Sequence, residues 1–466
     1  MADLVPIPFG IQASEARSGA SRLELLQNLY LEANPDQAVG PVTLYGTPGF
    51  TEFTTVGDGP IRGMIRSRSE FYVVSGDELY YIFPNGVTEL VGVVDGTGPV
   101  SMINNRPVDG STPQIAICTN LTSYAGNRTD GIVPLAEPNL IQATYQDGYG
   151  IFVQRGTESI FISALDDLTS IGALDFTTAD VFPDNVVACI SDHRELWVFG
   201  EDSTEIYVNT GNPSFPFERT ASGFIERGCL STFSVAKIDN KVIWLGSDHR
   251  VLMAEGYRPQ PISTPAVTYE ISTSASPETA RAFTYRGQDD HQYYVLNFTD
   301  RTLVYDLTTG LWHKRLSPSE DRWRVDNFTR IWGRDLVGDF STNQVYELDI
   351  DTYNEDSTNV VRRTVSPPLY FSDRTAVMHE LRVDMEHGTE TDRADPALIV
   401  LHWTDDYGHT WQGGYQQTAG AQGERTTQTS FFGLGSFRKR SYRLTISAAV
   451  KVAITGVYGR IEVLGH

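Results

Sequence analysis

From about residue 60 the chain alternates short runs of β-branched and aromatic residues with turns rich in Gly, Asp, Asn and Pro, and no long helical periodicity intervenes. The pattern predicts an all-β protein. The runs also recur as hairpins: "EFYVVSGDELYYI" at 70–82, "QIAICTNLTSYAG" at 114–126, "YGIFVQRGTESIFIS" at 149–163 and "RELWVFGEDSTEIYV" at 194–208. "NKVIWLGSDHRVLMA" at 240–254, "HQYYVLNFTDRTLVYD" at 291–306 and a weaker "RDLVGDFSTNQVYEL" at 334–348 continue the series.

The second strands of these hairpins begin at Glu78, Thr122, Ser159, Glu205, Arg250, Thr302 and Gln344, steps of 44, 37, 46, 45, 52 and 42 residues. Four strands and their turns fit such a step, which is the spacing of β-propeller blades. Short candidate inner strands precede several hairpins: "SMINN" after Val100, "VVACIS" from Val186, "TFSVAKI" from Thr232 and "ARAFTYR" from Ala280. The repeat favours seven blades over residues 51–355, with six blades and a closing element as the alternative. "TEFTTVG" at 51–57 precedes the first unit and is placed to supply an outer strand that closes the ring.

Both flanks differ in texture. Residues 1–50 read as an amino-terminal arm, packed on a neighbouring blade or a neighbouring subunit. Within it "SRLELLQNLYLEA" at 21–33 carries a capping-box signal at Ser21 and Glu24, so helix and extended strand both stay open. The repeat stops near "DTYNEDSTNVVRRTVSPPLYF", whose polar residues and Pro367-Pro368 suggest a linker. Alternating segments follow, among them "HELRVDME", "ALIVLHWTDD" and "SYRLTISAA", and predict a β-sandwich over 365–466.

Length, composition and charge narrow the function classes. A chain of 466 residues exceeds one ordinary core, and 40% hydrophobic content is that of a folded globular protein. No apolar run is long enough to span a membrane, and "MADLVPIPFG" lacks the features of a signal peptide. Cys118, Cys189 and Cys229 are odd in number and lie in apolar runs, so they read as reduced core residues. The formal net charge of −23 opposes tight binding to phosphate backbones, yet suits the wall of a conduit past which DNA must slide without adhering.

The motif with the most specific local pattern is "WTDDYGHTW" at 403–411, an Asp-box hairpin of the kind found in sialidases. Thr404, Asp406, Gly408, Thr410 and Trp411 have folding roles there. Asp406 accepts turn amides, Gly408 supplies a permissive backbone angle, and Trp411 packs beneath. Glycoside chemistry needs a further arginine cluster, a Tyr nucleophile and its partner acid, and one Asp box outside the propeller supplies none of them. Exposed Tyr407 and His409 remain candidate partner contacts.

Other candidate sites are weaker. "SDHR" occurs at 191–194 and 247–250, but His193, His249, Asp192 and Asp248 fall at inequivalent blade positions, so hairpin turns explain them better than metal ligation. The acidic loops "QDD" at 288–290 and "DIDTYNED" at 349–356 lack the spacing of an EF-hand and read as solvated turns. No Walker A, dinucleotide-binding or nucleophile-elbow motif is present, so neither a cofactor nor catalytic residues are expected. The dense basic run "FRKRSYR" at 437–443 makes Arg438, Lys439, Arg440 and Arg443 candidate contacts to DNA or an acidic partner, with an exposed strand entry as the plainer reading.

The arm "LLQNLYLEANPDQAVGPVTLYGTPGFTEF", "GPVSMINNR" at 98–106, the hairpins at 194–208 and 291–306, and "HELRVDMEHG" together resemble the packaged-DNA stabilisation proteins of short-tailed bacteriophages, also described as tail hub or nozzle proteins. The resemblance implies a structural virion protein of the phage tail, assembled in the host cytoplasm as a homohexameric ring below the portal and adaptor rings. It further implies partners in a tail spike or fibre and a tail tip or needle, and passage of genomic DNA without sequence-specific binding. On that expectation acidic side chains cluster on the channel-facing surface.

Overall fold

A computed structural model describes residues 4–464 apart from 10–24, 35–40, 108–109, 173–175, 179–183, 214, 389–396, 421–422 and 426–427. Seven antiparallel four-stranded blades follow one another along the described chain. Their innermost strands are Ile61–Ser67, Ser101–Asn104, Leu140–Gln146, Val186–Asp192, Ala236–Ile238, Arg281–Arg286 and Val325–Ile331. These strands neighbour one another in ring order, and the last packs against the first. Each hairpin read from the sequence forms the middle two strands of a blade, as in Glu195–Gly200 paired with Thr204–Asn209.

The ring closes with Gly49–Thr55, which pairs antiparallel with Gln344–Asp349 as the outer strand of the seventh blade. This is the segment expected to close it. Phe50 seats its ring 4.5 Å from that of Tyr346, both fully buried. Between adjacent blades lie separate apolar clusters, for example Ile243, Leu296 and Trp312 between the fifth and sixth. Repetition thus gives a chain of small cores in place of one large core.

Turn chemistry explains several punctuating residues. His193 and Arg194 take φ of 48° and 64°, and Asp239 and Asn240 take 49° and 60°, each pair forming a two-residue hairpin turn whose twist matches the flanking strands. The first "SDHR" is one of these turns, and the second places His249 at φ 62° in another. "TFSVAKI" begins as a single helical turn, Thr232–Ser234, before its strand Ala236–Ile238. All three cysteines are free and buried.

The sandwich has two sheets around one core that includes Leu26, Met378, Leu401, Phe431 and Leu444. Where it is described, the amino-terminal arm is extended. Leu4–Pro6 pairs with Ala453–Val463, Leu29–Ala33 pairs with Val42–Gly46, and the latter joins the same sheet. Ser21 and Glu24 lie outside the described residues, and the part of 21–33 that is described forms strands Leu25–Gln27 and Leu29–Ala33. Burial on both faces decides this, because Leu26, Gln27, Asn28, Leu29, Tyr30 and Leu31 are all buried, which a two-faced surface helix does not allow.

Leu25–Gln27 lies between the sixth blade's outer strand Leu311–Lys314 and the sandwich strand Arg362–Val365. One ten-stranded sheet therefore runs from the propeller into the sandwich. Arg362–Val365 falls within the stretch read as a linker. Its polarity hides it: Arg362 is 1% exposed, and its guanidinium donates to the carbonyls of Ala448 and Tyr353.

Candidate interaction site on the sandwich

The Asp-box turn joins Leu398–Thr404 to Gln412–Thr418 at the edge of the sheet. Asp406 accepts from the Thr410 amide at 2.9 Å and from the hydroxyls of Thr410 and Thr404 at 2.6 and 2.7 Å. These donors favour the ionised form and push its pKa down to about 2. Thr404 also accepts from the Gly408 amide at 2.9 Å. Tyr407 at φ 60° and Gly408 at φ 86° carry the chain through the left-handed region.

Strand Lys439–Ile446 pairs with Leu398–Thr404, so the turn and the basic run share one locality. Arg440 is 4% exposed and makes two bonds to Asp405, each 2.7 Å. Burial lowers its proton affinity, but the Asp405 carboxylate reverses that and the net shift is upward. Lys439 donates to the Tyr407 hydroxyl at 2.9 Å, so Tyr407 is half-buried and engaged while His409 is exposed. Arg443 lies 4.1 Å over the Trp411 ring, and Arg438 is exposed.

Two details depart from the sequence reading. The indole enclosed by the core is Trp403, whereas half-buried Trp411 sits on the opposite face beneath Arg443. Alternation along the strands assigns Trp403 inward with Leu401 and Ile399. Arg440, a candidate partner contact, is committed within the fold to Asp405, Leu434 and Ser436. Neither residue identity nor spacing signals that a central arginine of a basic run is internal.

Elsewhere, no group of His, Cys, Asp and Glu among the described residues is arranged to hold a metal. Asp289 of the "QDD" loop accepts from the His291 amide and the Tyr293 hydroxyl, and Asp349 accepts from the Asp351 amide. An apolar cleft of about 530 Å³ lies against Ile7, Phe9, Leu31, Leu44 and Val457. Its lining brings no set of titratable groups together. No described helix is long and apolar enough to cross a membrane.

A blade-by-blade propeller fused through a continuous sheet to a sandwich defines a β-propeller–β-sandwich protein. The family model described as bacteriophage P22 Gp10, beta-propeller, matches residues 4–353, and that described as bacteriophage P22 Gp10, beta-sandwich, matches 362–462. The chain belongs to this family, the packaged-DNA stabilisation proteins of short-tailed phages, which are structural proteins of the virion tail.

No curated protein matches the chain in sequence. Among solved structures it is similar to streptogramin B lyase, at 11% identity over 69% of this chain and 98% of that one, with a TM-score of 0.45. The Neurospora crassa Pan2 WD40 domain gives 9% identity over 65% and 96%, with a TM-score of 0.42. The designed Ika8 protein gives 9% over 64% and 99%, with a TM-score of 0.36. Similarity at this level carries no information on activity.

Proposed function

We propose that the chain is a tail hub or nozzle subunit that assembles as a homohexameric ring, extends the DNA exit channel below an adaptor ring, retains packaged DNA and anchors tail spikes or fibres and a tail tip. The family matches over 4–353 and 362–462 carry this reading. The architecture supports it, because rigid blades present many loops to partners and the continuous sheet couples propeller to sandwich. In this role the protein works without catalysis, by position and charge. The net charge of −23 supports a channel wall that repels DNA and lets it leave without adhesion.

Electron cryomicroscopy of the assembled particle tests the proposal. A ring of these subunits around the axial channel, with carboxylates facing the lumen, is the expected result. A chain located off the axis, or a lumen lined by Lys and Arg, would overturn it.

A further inference from the structure

The outer face of the sandwich sheet carries three cations, Lys314, Arg363 and Arg443, and among the described residues only Lys314 has an acid partner. Strand register places Lys314, Gln27, Arg363 and Thr445 in one line across four strands. The neighbouring line holds Val365, Arg443 and His402. Side chains two residues apart on a strand share a face, so all of these point away from the core that holds Leu401 and Leu444. Lys314 is neutralised by Glu270 at 2.7 Å.

Arg363 and Arg443 have no such partner. Among the described residues neither makes an ion pair, and the Nε atoms of both are buried without an acceptor. Nδ1 of His402, between them and the sheet edge, is also buried and unpartnered. Burial lowers the proton affinity of all three groups; Arg443 and then Arg363 lower that of His402 further, and Arg363 lowers that of Arg443, as their neighbouring places in the sheet require. In a chain with 59 acidic and 36 basic residues, acids to neutralise this pair are abundant, yet none among the described residues pairs with it. Two half-buried guanidiniums side by side favour an incoming oxyanion strongly, since each offers a planar fork of donors.

What approaches is indicated by the adjacent edge. Among the described residues Gln412–Thr418 ends the sheet, and its six consecutive exposed residues, 412–417, leave a strand edge open to a partner strand. Gly413 and Gly414 open a gap in its side-chain cover: a Cβ at Gly414 would stand 3.7 Å from Nε2 of His402. A side chain crossing the edge there reaches His402 and then Arg443. Nucleic acid fits poorly, because its affinity requires many phosphate contacts and the net charge of −23 repels a dense polyanion. A short acidic segment meets only the local cations.

We propose that this face and its edge dock an extended acidic segment of a partner protein, whose carboxylates pair with Arg443 and Arg363 and whose backbone continues the sheet beyond Gln412–Thr418. The site belongs to the single chain and does not depend on ring formation, so its failure and that of the proposed function are separable.

Calorimetric titration of the full chain with a blocked octapeptide alternating Glu and Val tests this directly. Binding should weaken with added salt, and a Gln/Val octapeptide should bind at least about tenfold more weakly. The double variant Arg363→Gln, Arg443→Gln should lose about the same factor, while Arg443→Lys keeps part of the affinity; an unchanged denaturation midpoint shows that folding is intact. A Glu/Val peptide N-methylated at alternate residues should fail to bind. Equal binding of the N-methylated peptide, equal binding by the double variant, or tighter variant-sensitive binding of a DNA duplex would each overturn the proposal, as would no binding at all.

Discussion

Asp405, in the turn that follows Leu398–Thr404, meets Arg440 of the neighbouring strand side-on, Oδ1 lying 2.7 Å from Nε and Oδ2 2.7 Å from Nη2. The guanidinium also donates to the carbonyls of Leu434 and Ser436, so a single buried side chain ties the Asp-box turn to the loop before its strand. Asp405→Ala leaves that cation buried and half-satisfied. A loss of about 2 kcal/mol is expected, discounted from the value for a fully buried pair because Asp405 is 37% exposed. Arg440→Lys should also destabilise, since an ammonium cannot make two parallel bonds. Urea unfolding checks both, and unchanged midpoints would show that the pair is ornamental.

Asp406 provides a pH signature. Its pKa is pushed down to about 2 by the Thr410 hydroxyl and amide and the Thr404 hydroxyl, from an unfolded value near 4. Above pH about 4 the carboxylate is ionised in both states and its stabilisation is complete; between about 4 and 2 the unfolded state takes up the proton first, so stability falls with pH. A carbon-13 titration of the side-chain carboxyl should give a midpoint near 2. A midpoint near 4 would mean the turn is not held by this group.

Ring closure brings Phe50 against Tyr346, with their rings 4.5 Å apart. Phe50→Ala removes a fully buried ring from the strand pair that closes the seventh blade, and should cost about 3–5 kcal/mol. A double-mutant cycle with Tyr346→Ala should show coupling of about 1 kcal/mol beyond burial. Additive losses would place the stabilisation of closure in the backbone ladder instead.

The propeller was legible because each blade repeats the same alternation and turn residues, and because Gly49–Thr55 keeps a strand pattern even when separated from its blade. The sandwich was harder where polarity and burial part company. Arg362 and Arg440 are charged yet internal, and their acceptors are backbone carbonyls and a carboxylate remote in sequence, which no spacing encodes. Trp403 and Trp411 look alike in the motif, and only the facing of the strands separates the core indole from the one beneath Arg443. The face of Arg363, Arg443 and His402 arises from three strands that the chain visits far apart. One member, Arg443, already stood out in the basic run.

The strongest test of how propeller and sandwich are joined lies at Asn28, 2% exposed and at φ 54°. Its amide donates to the Lys314 carbonyl, and its own carbonyl accepts from the Thr47 amide. The side chain accepts from the Leu316 amide and donates to the carbonyls of Leu316 and Val361, each at 2.9 Å. It thus bonds to the exit of the sixth blade and the entry of the sandwich together. Asn28→Ala removes the three side-chain bonds and puts a Cβ with no compensating bond in the left-handed region, for an expected loss of about 3 kcal/mol. Asn28→Gly loses the same bonds but not the backbone preference, so it should fall about 1 kcal/mol short of that loss. Asn28→Asp turns a donor into an acceptor against two carbonyls. Its carboxyl should keep its proton to higher pH when folded than unfolded, so this variant alone should lose stability as pH rises from about 4. Unfolding midpoints across pH distinguish these outcomes, and three variants with equal, pH-independent losses would mean that Asn28 acts by volume alone.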